Sequence, residues 1–138
     1  MKPFSESEKK RIERWTGGLV ADVTLRYATA DHPLDERFKA VAAELAELSP
    51  RIRLKKDGDA QVSLPTLFVG RHCAFQALPL DRELEPFLTA LGDGDDGADQ
   101  LPADVRDRLD RLRVPALVKV YVTPHCPFCP KAVSLLLA

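Results

Sequence analysis

Two rhythms of hydrophobic and polar positions run along the chain, and each marks an element. Residues 4–17 place Ile12 and Trp15 on a narrow apolar stripe. Ser5, with Glu8 three residues on, makes a capping box, and Gly17-Gly18 supplies a stop, so the pattern predicts a short helix. VADVTLRY (residues 20–27) alternates and is rich in β-branched side chains, which predicts a strand. From Pro33 the spacing turns helical again, through Leu34, Phe38, Val41, Leu45 and Leu48, until Ser49-Pro50 ends it. RIRLKK (residues 51–56) alternates charge with hydrophobe and reads as an edge strand whose cations discourage stray pairing.

A turn at Asp57-Gly58-Asp59 leads to Leu64-Pro65-Thr66 and a short strand, Leu67-Phe68-Val69. Gly70-Arg71 suggests a hairpin into CAFQA at residues 73–77. A helix from about Asp81 to Leu91 follows, with Leu84, Phe87, Leu88 and Leu91 inward. Pro86 fits it only in the first turn, where a missing N–H costs little. GDGDDGAD (residues 92–99) reads as a flexible acidic linker. Counted from Asp93 as a calcium loop, it has Ala98 where glycine is needed and Asp104 where glutamate is needed, which argues against that ion. Pro102 then opens a helix carrying Val105, Leu109 and Leu112, and Pro115 separates it from a strand over 116–122.

Composition narrows the classes. A chain of 138 residues, 45% hydrophobic, suffices for one ordinary domain and is short for two. A net charge of −1 gives no global basic footprint for nucleic acid. No apolar run approaches the ~20 residues of a membrane span, and the N-terminus MKPFSESEKKRIERW lacks a signal peptide's apolar core. Three cysteines do not make a secreted disulfide scaffold, so a cytoplasmic location is expected.

The chemistry concentrates in VYVTPHCPFCPKAV, residues 120–133, read as a strand, a turn with two cysteines and the start of a helix. Dithiol exchange needs one thiolate to attack and a second thiol close by to resolve the mixed disulfide. Two intervening residues on a first helical turn bring the sulfurs together. The helix N-terminus favours the anion and so lowers the pKa of Cys126, the expected nucleophile. Cys129 is expected to be more buried and to resolve. His125 and Lys131 are candidates for further tuning, though His125 reads equally as a solvated turn residue. Half a zinc site is the competing reading. Its remaining ligands would have to come from His125, His72, Cys73 and His32, without a second CxxC. Cys73 reads as a half-buried packing residue.

The element order starts over after the linker. Aligning Tyr27 with Tyr121 sets Thr29 against Thr123 and HPLD (residues 32–35) against CPFC (residues 126–129), with the proline in register. This β-α-β unit, with an X-Pro-Thr step, a hairpin and a closing helix, resembles the thioredoxin fold. Two such units in tandem, the second carrying TPHCPFCP, resemble the tandem thioredoxin/glutaredoxin-like family. That family holds the protein disulfide oxidoreductases and the N-terminal domain of the alkyl hydroperoxide reductase flavoprotein component. The resemblance implies an α/β thioredoxin-like fold with a central four-stranded mixed sheet over residues 19–91. It also implies a cis proline at Pro65 and thiol–disulfide oxidoreduction through Cys126 and Cys129.

Three regions are therefore expected: a first unit without CxxC (1–92), an acidic linker (93–100), and the beginning of a second unit with CxxC (101–138). Only nine residues follow Cys129, which points to a piece or truncation of a longer protein. In the first unit, His32 and Asp35 stand where cysteines would be, and neither exchanges disulfides, so that unit reads as scaffold. No dissociable cofactor is expected, since electrons travel as dithiols. The resemblance implies protein disulfide substrates, a flavin-dependent reductase as donor and a peroxiredoxin as acceptor. The rival class is a non-enzymatic adaptor. An isolated strand at 116–122 would invite pairing with another copy, a possible homo-oligomer, and residues 114–138 are expected either disordered or packed on a neighbouring surface.

Overall fold

The structure is a computed structural model and describes residues 2–123 and 125–137; Pro124 of the cysteine motif lies outside them. Helix α1 (Glu6–Gly17) begins where the capping box predicts. The Ser5 hydroxyl accepts from the Glu8 N–H, and the Glu8 carboxylate accepts from the Ser5 N–H at 2.7 Å. Strand β1 (Val23–Ala28), helix α2 (Asp35–Leu48) and strand β2 (Ile52–Lys56) follow, then the hairpin β3 (Thr66–Val69) and β4 (Cys73–Phe75). A short 3-10 turn, Asp81–Glu83, leads into α3 (Leu84–Asp93), and Pro86 falls in the first turn of that helix. A second 3-10 turn (Gly97–Gln100), α4 (Ala103–Asp110) and α5 (Cys129–Leu137) complete the described order.

The sheet order is β2-β1-β3-β4, with β1 parallel to β2 and the other neighbours antiparallel. It is the mixed four-stranded sheet the resemblance implies, and β2 is an edge strand as its charges suggest. Register explains the core. Leu25 faces Leu54 on one side and Val69 on the other, so alternate residues of three strands line one face. Leu25, Leu67, Val69 and Ile52 join Ile12 of α1, Phe38, Val41 and Leu45 of α2, and Leu84, Phe87, Leu88 and Leu91 of α3 in one buried cluster. Removing that apolar area from water is the main stabilising force, at roughly 25 cal/mol per Å². On the opposite face Arg26 lies 5.0 Å from the Phe68 ring centre and pairs with Asp57 at 2.7 Å.

Three expectations are corrected. No peptide bond among the described residues is cis, so Leu64–Pro65 is trans; Pro65 is nonetheless fully buried at the start of β3. The acidic stretch is not a free linker. Asp95 accepts the Arg71 N–H at 2.8 Å and pairs with its guanidinium at 3.0 Å, which docks the stretch on the β3–β4 turn. Gly70 in that turn has φ +58°, and a Cβ there would meet the Asp95 carboxylate at 2.7 Å, so glycine is needed for both reasons. Finally, residues 116–122 form no strand. The alternating pattern is present, but among the described residues no strand pairs with this segment, and a strand is made by its ladder. Leu117 and Tyr121 are more than four-fifths exposed, and Leu109 and Leu112 of the α4 region are exposed too.

Candidate functional site

The dithiol segment rests on the part of the chain that carries the sheet. Helix α5 packs against α3 and against the Asp81–Glu83 turn. Val133 is buried in that contact, and Leu137 lies against the main core. The helix begins at Cys129, not at Cys126: the Ala132 N–H bonds back to the Phe128 carbonyl, and the Cys126 N–H bonds to the Thr123 carbonyl in a separate turn. Cys126 therefore precedes the helix and Cys129 opens it.

Both cysteines are free thiols and both are half-buried, so burial does not separate them as expected. Electrostatics does. The Cys129 thiol donates to the Cys126 sulfur, and the Phe128 and Cys129 N–H groups also point at it, which lowers the Cys126 pKa. The same sulfur–sulfur hydrogen bond raises the Cys129 pKa, because that thiol must give up its donated proton to ionise. Two thiols so arranged titrate as a pair. His125 is exposed in the turn before Cys126, and Lys131 is exposed on α5; the groups that lower Cys126 are the neighbouring thiol and the backbone.

The sequence reading missed Glu83. Its residue is 7% exposed, its Oε1 has no hydrogen-bond partner, and burial raises its pKa. Its charge also opposes ionisation of both cysteines. Glu83 is thus a buried carboxyl whose charge reaches the dithiol. What carries it there is a strained backbone. Asp81 has φ +52°, a left-handed conformation that non-glycine residues adopt at a cost. The turn is held from α1: the Asp81 N–H donates to Glu8 Oε1 at 2.7 Å, and its carbonyl accepts from Arg11 Nη1 at 3.3 Å. Burial pushes the Glu8 pKa up, but hydrogen bonds from Ser5 and Asp81 outweigh it and the value falls, so Glu8 holds the turn as an anion.

The Glu83 shift predicts a sign. Its folded pKa lies above its unfolded pKa, so ionising it penalises the fold. Stability is fullest below the unfolded pKa and declines as pH climbs through the folded one. Glu83→Gln is expected to stabilise the protein at pH 7 by about 1 kcal/mol and to be nearly neutral at pH 4. It is also expected to lower the Cys126 pKa, since it removes a nearby negative charge. Urea melts at the two pH values and the pH profile of alkylation check both; a destabilised variant at pH 7 contradicts the account.

The HPLD segment (residues 32–35) is occupied otherwise. His32 Nδ1 accepts the Leu34 N–H at 3.2 Å, and Asp35 accepts the Ala30 N–H at 2.9 Å and pairs with Lys39 at 2.8 Å. Both side chains tie down the β1–α2 loop. Cys73 is half-buried in β4, and burial, then Asp95, raises its pKa. Among the described residues no three His, Cys, Asp or Glu side chains converge as metal ligands, and no helix is long and apolar enough to cross a membrane.

Solved structures share this architecture. A protein disulfide oxidoreductase from Aeropyrum pernix superimposes with a TM-score of 0.78 at 19% identity, over 95% of this chain. The fold is thioredoxin-like. The AhpF component of the alkylhydroperoxide reductase of Enterococcus faecalis matches with a TM-score of 0.73, again at 19% identity, over 97% of this chain. The chain spans 65% of the first of those proteins and 72% of the second. No protein-family model matches the sequence, and no curated protein matches it. The thioredoxin-like architecture thus rests on shape and topology, with little sequence identity to carry residue roles across.

Proposed function

We propose that the chain is a thiol–disulfide oxidoreductase working through Cys126 and Cys129. The observation that carries this reading is a pair of free, half-buried thiols two residues apart at the start of α5, on a fold that matches a protein disulfide oxidoreductase with a TM-score of 0.78. The Cys126 thiolate attacks one sulfur of a substrate disulfide. A Cys126–substrate disulfide forms, and the other substrate sulfur leaves as a thiolate and takes up a proton. Cys129 then loses its proton, for which the buried Glu83 carboxylate is the proposed acceptor, and attacks Cys126. The second substrate sulfur leaves, and two electrons have passed from the dithiol to the substrate. A dithiol or reductase must then restore the pair. A flavin-dependent reductase and a peroxiredoxin remain the proposed partners, protein disulfides the proposed substrates and the cytoplasm the proposed compartment. Residues 101–138 are proposed as the opening of a second thioredoxin-like unit.

The test is turnover of insulin or a small disulfide by the full chain with dithiothreitol as donor. The native protein is expected to exceed Cys126→Ser clearly, with the variant falling to the background rate. Equal rates would remove the enzymatic reading. They would favour the second one, an adaptor or a homo-oligomer, which the exposed apolar run Leu112, Val114, Leu117, Val118 and Tyr121 supports.

A further inference from the structure

An open cleft of about 500 Å³ is lined by Arg11, Asp81, Arg82 and His125. It brings together α1, the strained turn and the residue directly before Cys126. The turn organises both sides of the site. Glu83 is directed into the interior near the sulfurs, while Arg82, one residue earlier, is exposed and faces the cleft. The left-handed backbone at Asp81, pinned by Glu8 and Arg11, sets both directions.

The charges of the lining are unequally engaged. Arg11 gives its Nε to Glu85 at 2.8 Å and its Nη1 to the Asp81 carbonyl. Arg82 forms no ion pair among the described residues, so its whole planar fork is available. His125 adds a ring N–H donor directly before Cys126 in the chain. The Asp81 carboxylate is the one acid in the lining. A guanidinium fork binds a carboxylate with two parallel hydrogen bonds, which no single acceptor matches in geometry.

We propose that this cleft is a substrate subsite that receives an acidic side chain flanking the half-cystine of the target disulfide, held by Arg82 and His125. The inference rests on the redox reading and deepens it, naming the preferred substrate class: disulfides in acidic peptide segments. Electrostatic complementarity of this kind acts on encounter and orientation, so it belongs in the rate of the first exchange step.

The test uses the full reduced chain and three disulfide-bonded peptides that differ only in Glu, Lys or Gln beside the half-cystine. Acid quench, alkylation and mass spectrometry give the rate of Cys126–Cys129 oxidation. At low ionic strength the Glu peptide is expected to react about threefold to tenfold faster than the Lys peptide, the gap closing as salt is added. Arg82→Glu is expected to invert that ratio, and Arg82→Gln to bring it near one. Because both peptides are compared on one variant, a general loss of stability does not move the ratio. Equal Glu and Lys rates on the native chain, a Lys preference, or a ratio unmoved by Arg82→Glu would overturn the subsite and leave the redox reading standing. No oxidation even by the Gln peptide would overturn the redox reading itself, and the subsite with it.

Discussion

A Cys129→Ser variant is expected to stop halfway, with substrate held on Cys126. Attack by Cys126 needs only its own thiolate, and the serine hydroxyl can still donate a hydrogen bond where the Cys129 thiol now lowers the Cys126 pKa. Resolution needs a second sulfur, which serine lacks. Release then falls to external thiols, which lack the high effective concentration of a neighbouring group. Turnover should drop at least about a hundredfold. A stoichiometric mixed disulfide should accumulate and vanish on full reduction. Non-reducing electrophoresis and intact mass read both outcomes. A Cys129→Ala variant is expected to form the adduct more slowly at neutral pH, because the hydrogen bond goes as well and the Cys126 pKa rises. Undiminished turnover with no adduct in Cys129→Ser would contradict the assignment of roles.

The second large effect is structural. Phe87 is fully buried on α3, and its ring meets Phe75 of β4 edge to face, with centres 4.9 Å apart and planes at 86°. Phe87→Ala removes that contact and leaves a cavity the sheet cannot fill. The expected cost is about 3–5 kcal/mol. That is a large share of the roughly 5–15 kcal/mol that holds a domain folded. The effect should reach the site, because α5 and the Asp81–Glu83 turn both pack on α3. Cys126 in the variant should therefore approach the alkylation behaviour of free cysteine at temperatures where the native site is intact. Urea denaturation and alkylation followed against temperature check the two halves. A loss below about 1 kcal/mol would mean the core relaxes around the gap.

The elements that were legible in the sequence are those whose information is local. The Ser5–Glu8 box sits where α1 starts, and the helical spacing of Phe38, Val41 and Leu45 is the buried face of α2. The charged alternation of residues 51–56 is an edge strand, because an edge tolerates lysine and arginine and a central strand does not. The two cysteines stood out by spacing alone, since a thiol pair two residues apart can meet without any distant help.

Tertiary structure decided the rest, for reasons that local pattern does not contain. The 116–122 segment has strand periodicity, but periodicity only permits a strand and a partner makes one. The helix starts past Cys126, at Cys129, so Cys126 is tuned by a thiol and two backbone N–H groups of the turn. Glu83 reads as an ordinary surface glutamate at the start of a helix. It is a buried acid whose charge reaches the dithiol, and it follows a left-handed Asp81 whose N–H donates to Glu8, 73 residues earlier in the chain. The amino-acid order settled which groups can ionise or exchange electrons. Their separation and their water were settled by long-range packing, and those two quantities govern a pKa.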